Sequence, residues 1–243
     1  MTLLDEVLAA HGGVDRWSAA RRIHARLRSG GLLLRTRVPG NHFVDYELTV
    51  DVDERRSAAE PFPRDGRRAV FDAGVVRIET AEGEVVESRA DPRAAFSGFS
   101  GLRRNLRWDA LDSTYFAGYA MWNYMVTPYL LTRQGVEVAE GEPWREDGDT
   151  WRRLEVTFPA ALDTHSPRQT FYYDSRGLLR RHDYVAQVVG GWARAAHHCA
   201  DHVESGGLMF PTRRWVRPIG PGNRSLPFPT MVWLELREIM VAT

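Results

Sequence analysis

The segment that ends at His202 reads GGWARAAHHCADH and concentrates the residue types in this chain that are most able to do chemistry. His197, His198 and His202 are three of the eight histidines, and Cys199 is the only cysteine. In a helix, His198 and His202 would lie one turn apart, which is a spacing that metal-binding helices use. Because strand-like runs stand on both sides, we favour a strand, in which His197, Cys199 and Asp201 share one face.

A strand divides these side chains between two faces, so they do not form one compact metal site, and we expect neither a metal nor a cofactor. The run RRHDY lies on an expected neighbouring strand and adds imidazole, carboxylate and phenol groups that suit proton transfer. A further histidine stands on a turn from which it could lean over the mouth of a barrel. The candidate catalytic residues are His165, His182, Asp183, Tyr184, His197 and Asp201. A polar network that only satisfies buried rings would use the same residues.

Aromatic residues and methionines recur at helical spacing in residues 115–131, which read YFAGYAMWNYMVTPYLL. Tyrosine and tryptophan rings combine an apolar body with a polar group, which suits a pocket that binds an apolar molecule and orients one oxygen. Methionines add an adaptable lining. A helix that is simply part of the core would show the same stripe.

Two adjacent arginines near the C-terminus offer a group that could bind an anion. Arg213 and Arg214 leave the turn at Pro211 on opposite faces, so only one of them can point inward. An inward arginine would hold a carboxylate or an enolate through a forked hydrogen bond, and a structural ion pair is the alternative. The candidate ligand-binding residues are Tyr115, Tyr119, Trp122, Tyr124, Met125, Tyr129 and Arg213.

The elements that must position these groups follow from the periodicity of the apolar residues. A helix is predicted within residues 2–20, with Thr2 as its N-cap. Residues 22–90 then show a period of two, which is typical of half-buried strands. Residues 91–135 interrupt this alternation with a helical insert, whose main helix Pro128 should kink or end. Strands return after the insert and continue to the C-terminus.

Two short motifs in the second half of the chain carry a family resemblance. One is QTFYYDSRGLLRRHDY, two strands around an Asp-x-x-Gly turn, and the other is GGLMFPTRRWV, where Gly-x-x-x-Pro enters an edge strand. With the order of elements, they resemble the LolA/LolB lipoprotein-carrier fold, which implies an incomplete β-barrel closed by a helical lid over an apolar cavity. We therefore predict a mainly β (α+β) single domain over residues 1–243. It would contain a strongly curved antiparallel sheet, an N-terminal helix and a mid-chain helical lid over residues 91–135.

The bulk composition excludes several classes of function. The chain has 243 residues with 32 acidic and 32 basic side chains, so no net field attracts nucleic acid. All of the basic residues are arginine, which excludes Schiff-base chemistry through lysine. One cysteine cannot form an internal disulfide, and no apolar run is long enough for a transmembrane segment. The N-terminus does not read as a signal peptide, so we expect a cytoplasmic protein, and the sequence leaves the oligomeric state open.

Two functions fit these observations. The first is binding of a hydrophobic small molecule or acyl chain in a continuous apolar cavity of several hundred Å³, lined by Tyr119, Trp122, Tyr124 and Tyr129. The alternative is a cofactor-free enzyme, such as a cyclase, isomerase or dehydratase, that acts on a hydrophobic intermediate through His, Asp and Tyr acid–base chemistry. The enzyme requires the candidate catalytic residues to converge inside the cavity.

Overall fold

One antiparallel sheet organises the molecule. The computed structural model describes residues 1–38, 40, 44–146 and 148–243, and of residues 99 and 100 it describes the backbone only. Within these residues, thirteen strands form a single curved, open sheet, and a few helices pack against it. The predicted mainly β (α+β) class and incomplete-barrel architecture are therefore confirmed.

The bounds of the elements are as follows. The strands are β1 (Arg22–Gly30), β2 (Asp45–Asp51), β3 (Arg56–Glu60), β4 (Arg67–Asp72), β5 (Val75–Thr80), β6 (Val85–Ala90), β7 (Glu137–Glu146), β8 (Asp149–Thr157), β9 (Arg168–Tyr173), β10 (Leu179–Val185), β11 (Arg194–Ser205), β12 (Leu208–Pro218) and β13 (Val232–Ala242). The α-helices are α1 (Leu3–Ala10), α2 (Val14–Ala19), α3 (Leu32–Arg37), α4 (Gly98–Arg104) and α5 (Ala110–Val126). Short 3₁₀ turns lie at Ala94–Phe96, Tyr129–Thr132 and Pro221–Asn223.

The strand order explains why the helical insert crosses the sheet. Strands that follow one another in the chain pair with each other in each half of the sheet, and β1 pairs with β13 to join the two halves. β6 and β7 are consequently the two edges of the sheet. The connection between them contains α4 and α5 and must run from one edge to the other. On its way, α5 packs against β2, β3, β4, β5 and β6.

Local side-chain chemistry fixes where the two longest helices begin. The Thr2 hydroxyl accepts a hydrogen bond from the Asp5 N–H, and the Asp5 carboxylate accepts one from the Thr2 N–H, so Thr2 is the N-cap of α1 as predicted. Asp109 and Asp112 form the same reciprocal pair at the start of α5. α5 ends at Val126, two residues before Pro128, as expected from the missing N–H of proline.

The sequence pattern did not predict α3 and β3. α3 is the run LLLRTR, whose three consecutive leucines show no helical period, and β3 is the short run RSAAE. α3 begins where Gly31 adopts a φ of 119°, and a Cβ at that position would collide with the backbone of Met231. This sharp turn brings Leu33 and Leu34 into the hydrophobic cluster that extends from α1 to β13.

Candidate functional site

α5 is buried on most of its circumference, so it belongs to the core as well as covering the sheet. The Asp112 carboxylate is fully buried and accepts hydrogen bonds of 2.6 Å from both Arg89 and Arg104. Near the other end, the Asn123 amide donates to the backbone carbonyl of Asp163 at 2.8 Å. These contacts tie both halves of the helix to surrounding elements, and they set the space left between the helix and the sheet.

A small apolar cavity lies between α5 and the centre of the sheet. Its volume is about 40 Å³, and its lining residues are Ser29, Leu34, Tyr46, Phe116, Ala117, Ala120, Met121, Tyr124, Tyr184, Val216, Val232 and Leu234. The prediction of a continuous apolar cavity of several hundred Å³ lined by Tyr119, Trp122, Tyr124 and Tyr129 is therefore wrong for the described residues. Aromatic and aliphatic side chains fill most of the space, as is usual in a protein core.

A second, narrower void continues along α5 beyond the first. Its volume is about 10 Å³, and it reaches Leu48 on β2 and Phe71 on β4. Tyr46, Ala117 and Met121 line both voids. Since methionine has a flexible, unbranched side chain, Met121 separates the two voids with a group that can change rotamer easily.

A larger groove of about 620 Å³ lies over the β7–β10 region, and it differs in character. Its lining includes charged and polar side chains such as Glu137, Arg153, Arg168 and Arg194. The groove is open to solvent, so an apolar ligand would remain largely hydrated there. The small cavity beside α5 is the better match to an apolar molecule.

Four rings meet where α5 approaches the loop between β8 and β9. His165 stacks on Tyr184 with 3.9 Å between ring centres. Its Nδ1 is 3.0 Å from the Tyr119 hydroxyl, and its Nε2 is 2.7 Å from the Tyr124 hydroxyl, which in turn is 3.2 Å from the Tyr184 hydroxyl. A neutral imidazole has one donor and one acceptor nitrogen. His165 can therefore donate a hydrogen bond to one of the Tyr119 and Tyr124 hydroxyls and accept one from the other.

Two further histidines lie on the same face of the sheet. His182 stacks on Phe171 with 4.1 Å between ring centres, and its Nε2 is 2.5 Å from Gln169 Oε1. His197 is the direct partner of His182 in the β10–β11 ladder and lies edge-on to Tyr124 at 4.5 Å. Both ring nitrogens of His197 are buried and lack a hydrogen-bond partner within the part of the chain that the structure describes.

Arg214 completes this group from β12. Its guanidinium stacks over the Tyr124 ring at 5.0 Å, and the residue is only 2% exposed. Nη1 donates to the Cys199 Sγ and Nη2 to the Tyr124 backbone carbonyl, each at 3.3 Å, while the buried Nε has no acceptor among the described residues. We name this group the Arg214 cluster, which consists of Tyr119, Tyr124, His165, His182, Tyr184, His197, Cys199 and Arg214.

Burial controls the protonation of the Arg214 cluster. Burial lowers the pKa of His165 to about 3. Burial, with the charges of neighbouring groups that include Arg214, also lowers the pKa of His182 and His197 well below the ordinary value for histidine. Burial raises the pKa of Tyr124 well above its ordinary value. At neutral pH these rings are therefore uncharged, whereas the arginine guanidinium keeps its positive charge.

The cluster contains four of the six candidate catalytic residues, but Asp183 is not among them. Asp183 points to the opposite face of β10, as the alternation of side chains along a strand requires. There its carboxylate accepts hydrogen bonds from Arg181 Nε at 2.6 Å and from the Tyr172 hydroxyl at 2.8 Å. We name the buried polar group on this face the Arg181 network, which consists of Glu146, Tyr172, Arg181, Asp183 and Asn223.

Asp201 and Arg213 lie at the surface, so their predicted places in the site are wrong. They form an ion pair at 3.0 Å with both side chains more than half exposed. Asp201 has a φ of 55°, which interrupts the regular alternation and removes it from the face of His197. Of the two adjacent arginines, Arg214 points inward and Arg213 points outward, where it lies over the ring of Trp215.

Most of the aromatic residues of the helical insert pack the core. Trp122 donates its indole N–H to backbone carbonyls of Asp51 and Glu54, and Tyr129 stacks on Trp17 with 4.3 Å between ring centres. Of the candidate ligand-binding residues, Tyr124 lines the cavity, whereas Tyr115, Tyr119, Trp122, Met125, Tyr129 and Arg213 do not. The sequence interpretation took the methionines as lining, which holds for Met121, but it missed Phe116, Ala117 and Ala120 on the same face of α5.

The geometry of the Arg214 cluster is that of a buried polar core. General acid–base catalysis works best with groups whose pKa lies near the working pH. Here burial shifts the pKa values of the histidines downward and those of the tyrosines upward, away from neutrality. The convergence of these residues accordingly fits the polar-network interpretation, and we assign no reaction to them.

Comparison with solved structures identifies the fold. The chain is similar to a LolA superfamily protein from Nitrosomonas europaea, at 11% identity over 99% of this chain and 92% of that chain, with a TM-score of 0.52. It is also similar to a DUF1329 family protein from Desulfovibrio piger, at 12% identity over 98% and 91%, with a TM-score of 0.52. The fold is therefore LolA-like, as the sequence resemblance implied. No model of a known protein family and no curated protein sequence matches the chain.

The comparisons contradict the expected cytoplasmic location. The likeness to the LolA superfamily protein overturns that expectation. An outer membrane lipoprotein-sorting protein domain from Vibrio parahaemolyticus is also similar, at 10% identity over 99% of this chain and 91% of that chain, with a TM-score of 0.49. Of the helices in the described part of the chain, none combines the length and apolar character that a membrane-spanning segment needs.

Proposed function

We propose that this protein binds a hydrophobic small molecule or an acyl chain between α5 and the sheet. The observation that carries the proposal is the pair of apolar voids that run along one face of α5 and share Tyr46, Ala117 and Met121 as walls. The LolA-like fold supports it, because a curved sheet covered by a helix is suited to enclosing an apolar molecule. Residues 91–135 would be the lid of a single domain.

Binding requires the voids to open into one channel, since an acyl chain is larger than either of them. Met121 supplies the movable group, and Ala117 and Ala120 leave room because they have no side chain beyond Cβ. Each methylene transferred from water into the channel contributes about 0.8 kcal/mol. A chain of roughly a dozen carbons would therefore offset the cost of rearranging a few side chains, which is about 0.5–1.5 kcal/mol for each one that becomes ordered.

The half-buried residues Phe116 and Ala117 mark the side from which a ligand would enter. They lie beside α3 and the start of β13, where Leu34 and Val232 complete the wall of the cavity. The ligand would then lie along α5 from Tyr124 toward Thr114. Those residues are ten positions apart in the helix, which corresponds to about 15 Å.

The test is to fill the cavity and measure binding of a simple apolar probe. In Ala120→Leu, the larger side chain enters the cavity, and we expect at least a tenfold weaker Kd for dodecan-1-ol in isothermal titration calorimetry. Ala9→Leu is the matched control, because Ala9 is an exposed alanine within α1 and the same change there does not reach the cavity.

Circular dichroism would establish that both variants remain folded, since extra volume in a core costs about 1–3 kcal/mol. Wild-type affinity in folded Ala120→Leu would place the ligand elsewhere. A wild-type protein that binds no apolar probe would contradict the proposed function itself.

A further inference from the structure

Arg214 is a buried cation that has no counter-charge among the residues that the structure describes. Its side chain is 2% exposed, and no carboxylate in the described part of the chain pairs with it. Burial of an unpaired charge is costly, and buried charges in proteins are normally paired or bound to a ligand. The position of this arginine therefore needs an explanation that its present contacts do not give.

One of those contacts has a structural purpose. The Tyr124 carbonyl would normally accept a hydrogen bond from the residue four positions later, which is Pro128 and has no N–H. Arg214 Nη2 donates to this carbonyl instead, at 3.3 Å. A neutral amide side chain could do the same, so this bond does not account for the charge or for the remaining N–H donors of the guanidinium.

The hydrogen-bonding groups around Arg214 suit an anion. The other contact of the guanidinium is the Cys199 Sγ, which is a weak acceptor, and its Nε has no acceptor within the described residues. His197 lies on the same face, and both of its ring nitrogens are buried without partners. Arg214 and His197 both lie against the Tyr124 ring, and each has unused hydrogen-bonding capacity among the described residues.

Arg214 does not line the cavity itself, but residues next to it do. Val216 lies two residues from Arg214 on the same face of β12, and Leu234 is the direct partner of Arg214 in the β12–β13 ladder; both residues line the cavity. Tyr124 lines the cavity as well, and its ring covers the guanidinium. An elongated molecule that lies along α5 would therefore bring one end to Arg214 once the Tyr124 ring moves together with the side chains that separate the voids.

We propose that Arg214, with His197 beside it, binds the carboxylate of a single-chain fatty acid whose hydrocarbon lies along α5. This inference rests on the proposed function and names its ligand class. A carboxylate matches the planar fork of arginine and is small enough for a buried site, whereas a bulky polar head group would not fit beside the Tyr124 ring. The anion would supply the missing counter-charge, and its hydrogen bonds to a charged donor would be stronger than those to a neutral one.

The experiment compares three probes that share one chain and differ in the head group: dodecanoic acid, dodecan-1-ol and dodecylamine. Isothermal titration calorimetry at pH 8 would measure each with the wild-type protein. We expect the acid to bind at least tenfold more tightly than the alcohol, and the amine to bind most weakly. Equal affinity for acid and alcohol would overturn the carboxylate site and leave the proposed apolar binding intact, whereas no binding of any probe would overturn both.

Variants at Arg214 test whether this side chain causes the preference for the acid over the alcohol. Arg214→Gln keeps a donor for the Tyr124 carbonyl and removes the charge, so it should lose at least tenfold in affinity for the acid and keep its affinity for the alcohol. Arg214→Lys should retain part of the preference for the acid. Arg213→Gln is the matched control, because it removes the adjacent exposed arginine, and it should change nothing. An equal loss of affinity for acid and alcohol in Arg214→Gln would show that Arg214 has only a structural role, and it would overturn the proposed carboxylate site.

Discussion

Two buried arginines on opposite faces of the same sheet have opposite surroundings. Arg181 is fully buried and donates to both oxygens of Asp183, to Glu146 and to the backbone carbonyl of Asn223. Arg214 is almost as buried, yet it contacts a sulfur atom and one backbone carbonyl. The Arg181 network is complete within the chain, whereas the Arg214 cluster is a polar core with spare donors. The comparison suggests that the first serves stability and the second serves a ligand.

The Arg181 network also explains the state of its carboxylates. Burial alone would raise the pKa of Glu146, but the Ser225 N–H, the Trp144 indole and Arg181 outweigh it and lower that pKa. Burial raises the pKa of Asp183, against the opposing effect of Arg181. Removing the cation would leave two buried acids without their partner.

The largest expected effect is the loss of stability in Arg181→Met. Breaking a buried ion pair by removing one partner typically costs 3–5 kcal/mol, and we expect a fall of about that size in the free energy of unfolding. Urea denaturation followed by circular dichroism would measure it. A loss below about 1 kcal/mol would show that the Arg181 network contributes little to stability, and the contrast between the two arginines would disappear.

The second effect is a fall in stability as the pH decreases. His165, His182 and His197 are uncharged in the folded protein, whereas in the unfolded chain their pKa is about 6.5. The unfolded state therefore binds more protons below that pH, and folding stability decreases as the pH falls through 6.5 toward the lower folded values. These three residues contribute a loss of about 2 kcal/mol between pH 7.5 and pH 6.0. His11, His198 and His202, whose pKa values are also lowered by burial, add to this loss.

Urea denaturation at the two pH values would measure this loss. His197→Phe is the informative variant, because the ring nitrogens of His197 have no hydrogen-bond partner to lose among the described residues. It should reduce the loss between the two pH values by about 0.8 kcal/mol, which is the contribution of one such histidine. Stability that is constant or higher at pH 6.0 would mean that these histidines are charged or exposed in the folded protein.

A smaller effect is expected for Arg214→Met. The substitution removes an unpaired buried charge, which is favourable, and it also removes the hydrogen bond to the Tyr124 carbonyl, which is unfavourable by about 1 kcal/mol. We expect the free energy of unfolding to change by no more than about 1 kcal/mol in either direction. A loss of about 3 kcal/mol or more, as for Arg181, would indicate that Arg214 is already paired in the folded state.

The smallest effect concerns the exposed neighbour. Arg213→Met breaks an ion pair with Asp201 in which both side chains are more than half exposed. Exposed ion pairs contribute about 0–1 kcal/mol, and we expect a change of less than about 0.5 kcal/mol in unfolding experiments. A larger change would mean that the outer face of β12 contributes to stability more than its exposure implies.

Much of the sheet could be predicted from the sequence because alternation is a local signal. β1 and β2 have apolar residues at every second position, and the Asp174–Gly177 turn marks the β9–β10 hairpin. β3 and α3 carry no such period. RSAAE has too little apolar content to reveal a buried face, and LLL is compatible with any element.

The site was less predictable because it depends on orientation and on packing. The rule that one of two adjacent arginines points inward is sound, but Trp215 and Val216 are both apolar, so the alternation in β12 does not say which face is inner. The positive φ of Asp201 could not be predicted from the sequence either. Large aromatic residues drew attention to one stripe of α5, whereas the cavity lies against the stripe that carries Ala117 and Ala120, where small side chains leave room.

The location of a bound chain is the central claim, and photo-crosslinking tests it most directly. Dodecanoic acid that carries a diazirine at its far end would be irradiated in the presence of the wild-type protein, and the labelled residues would be identified by tandem mass spectrometry. With the carboxylate at Arg214, we expect labels along the shared wall of the two voids and beyond it, at Tyr46, Leu48, Phe71 and Met121. Labels in the polar groove over β7–β10, at residues such as Arg153 and Arg168, would contradict the account.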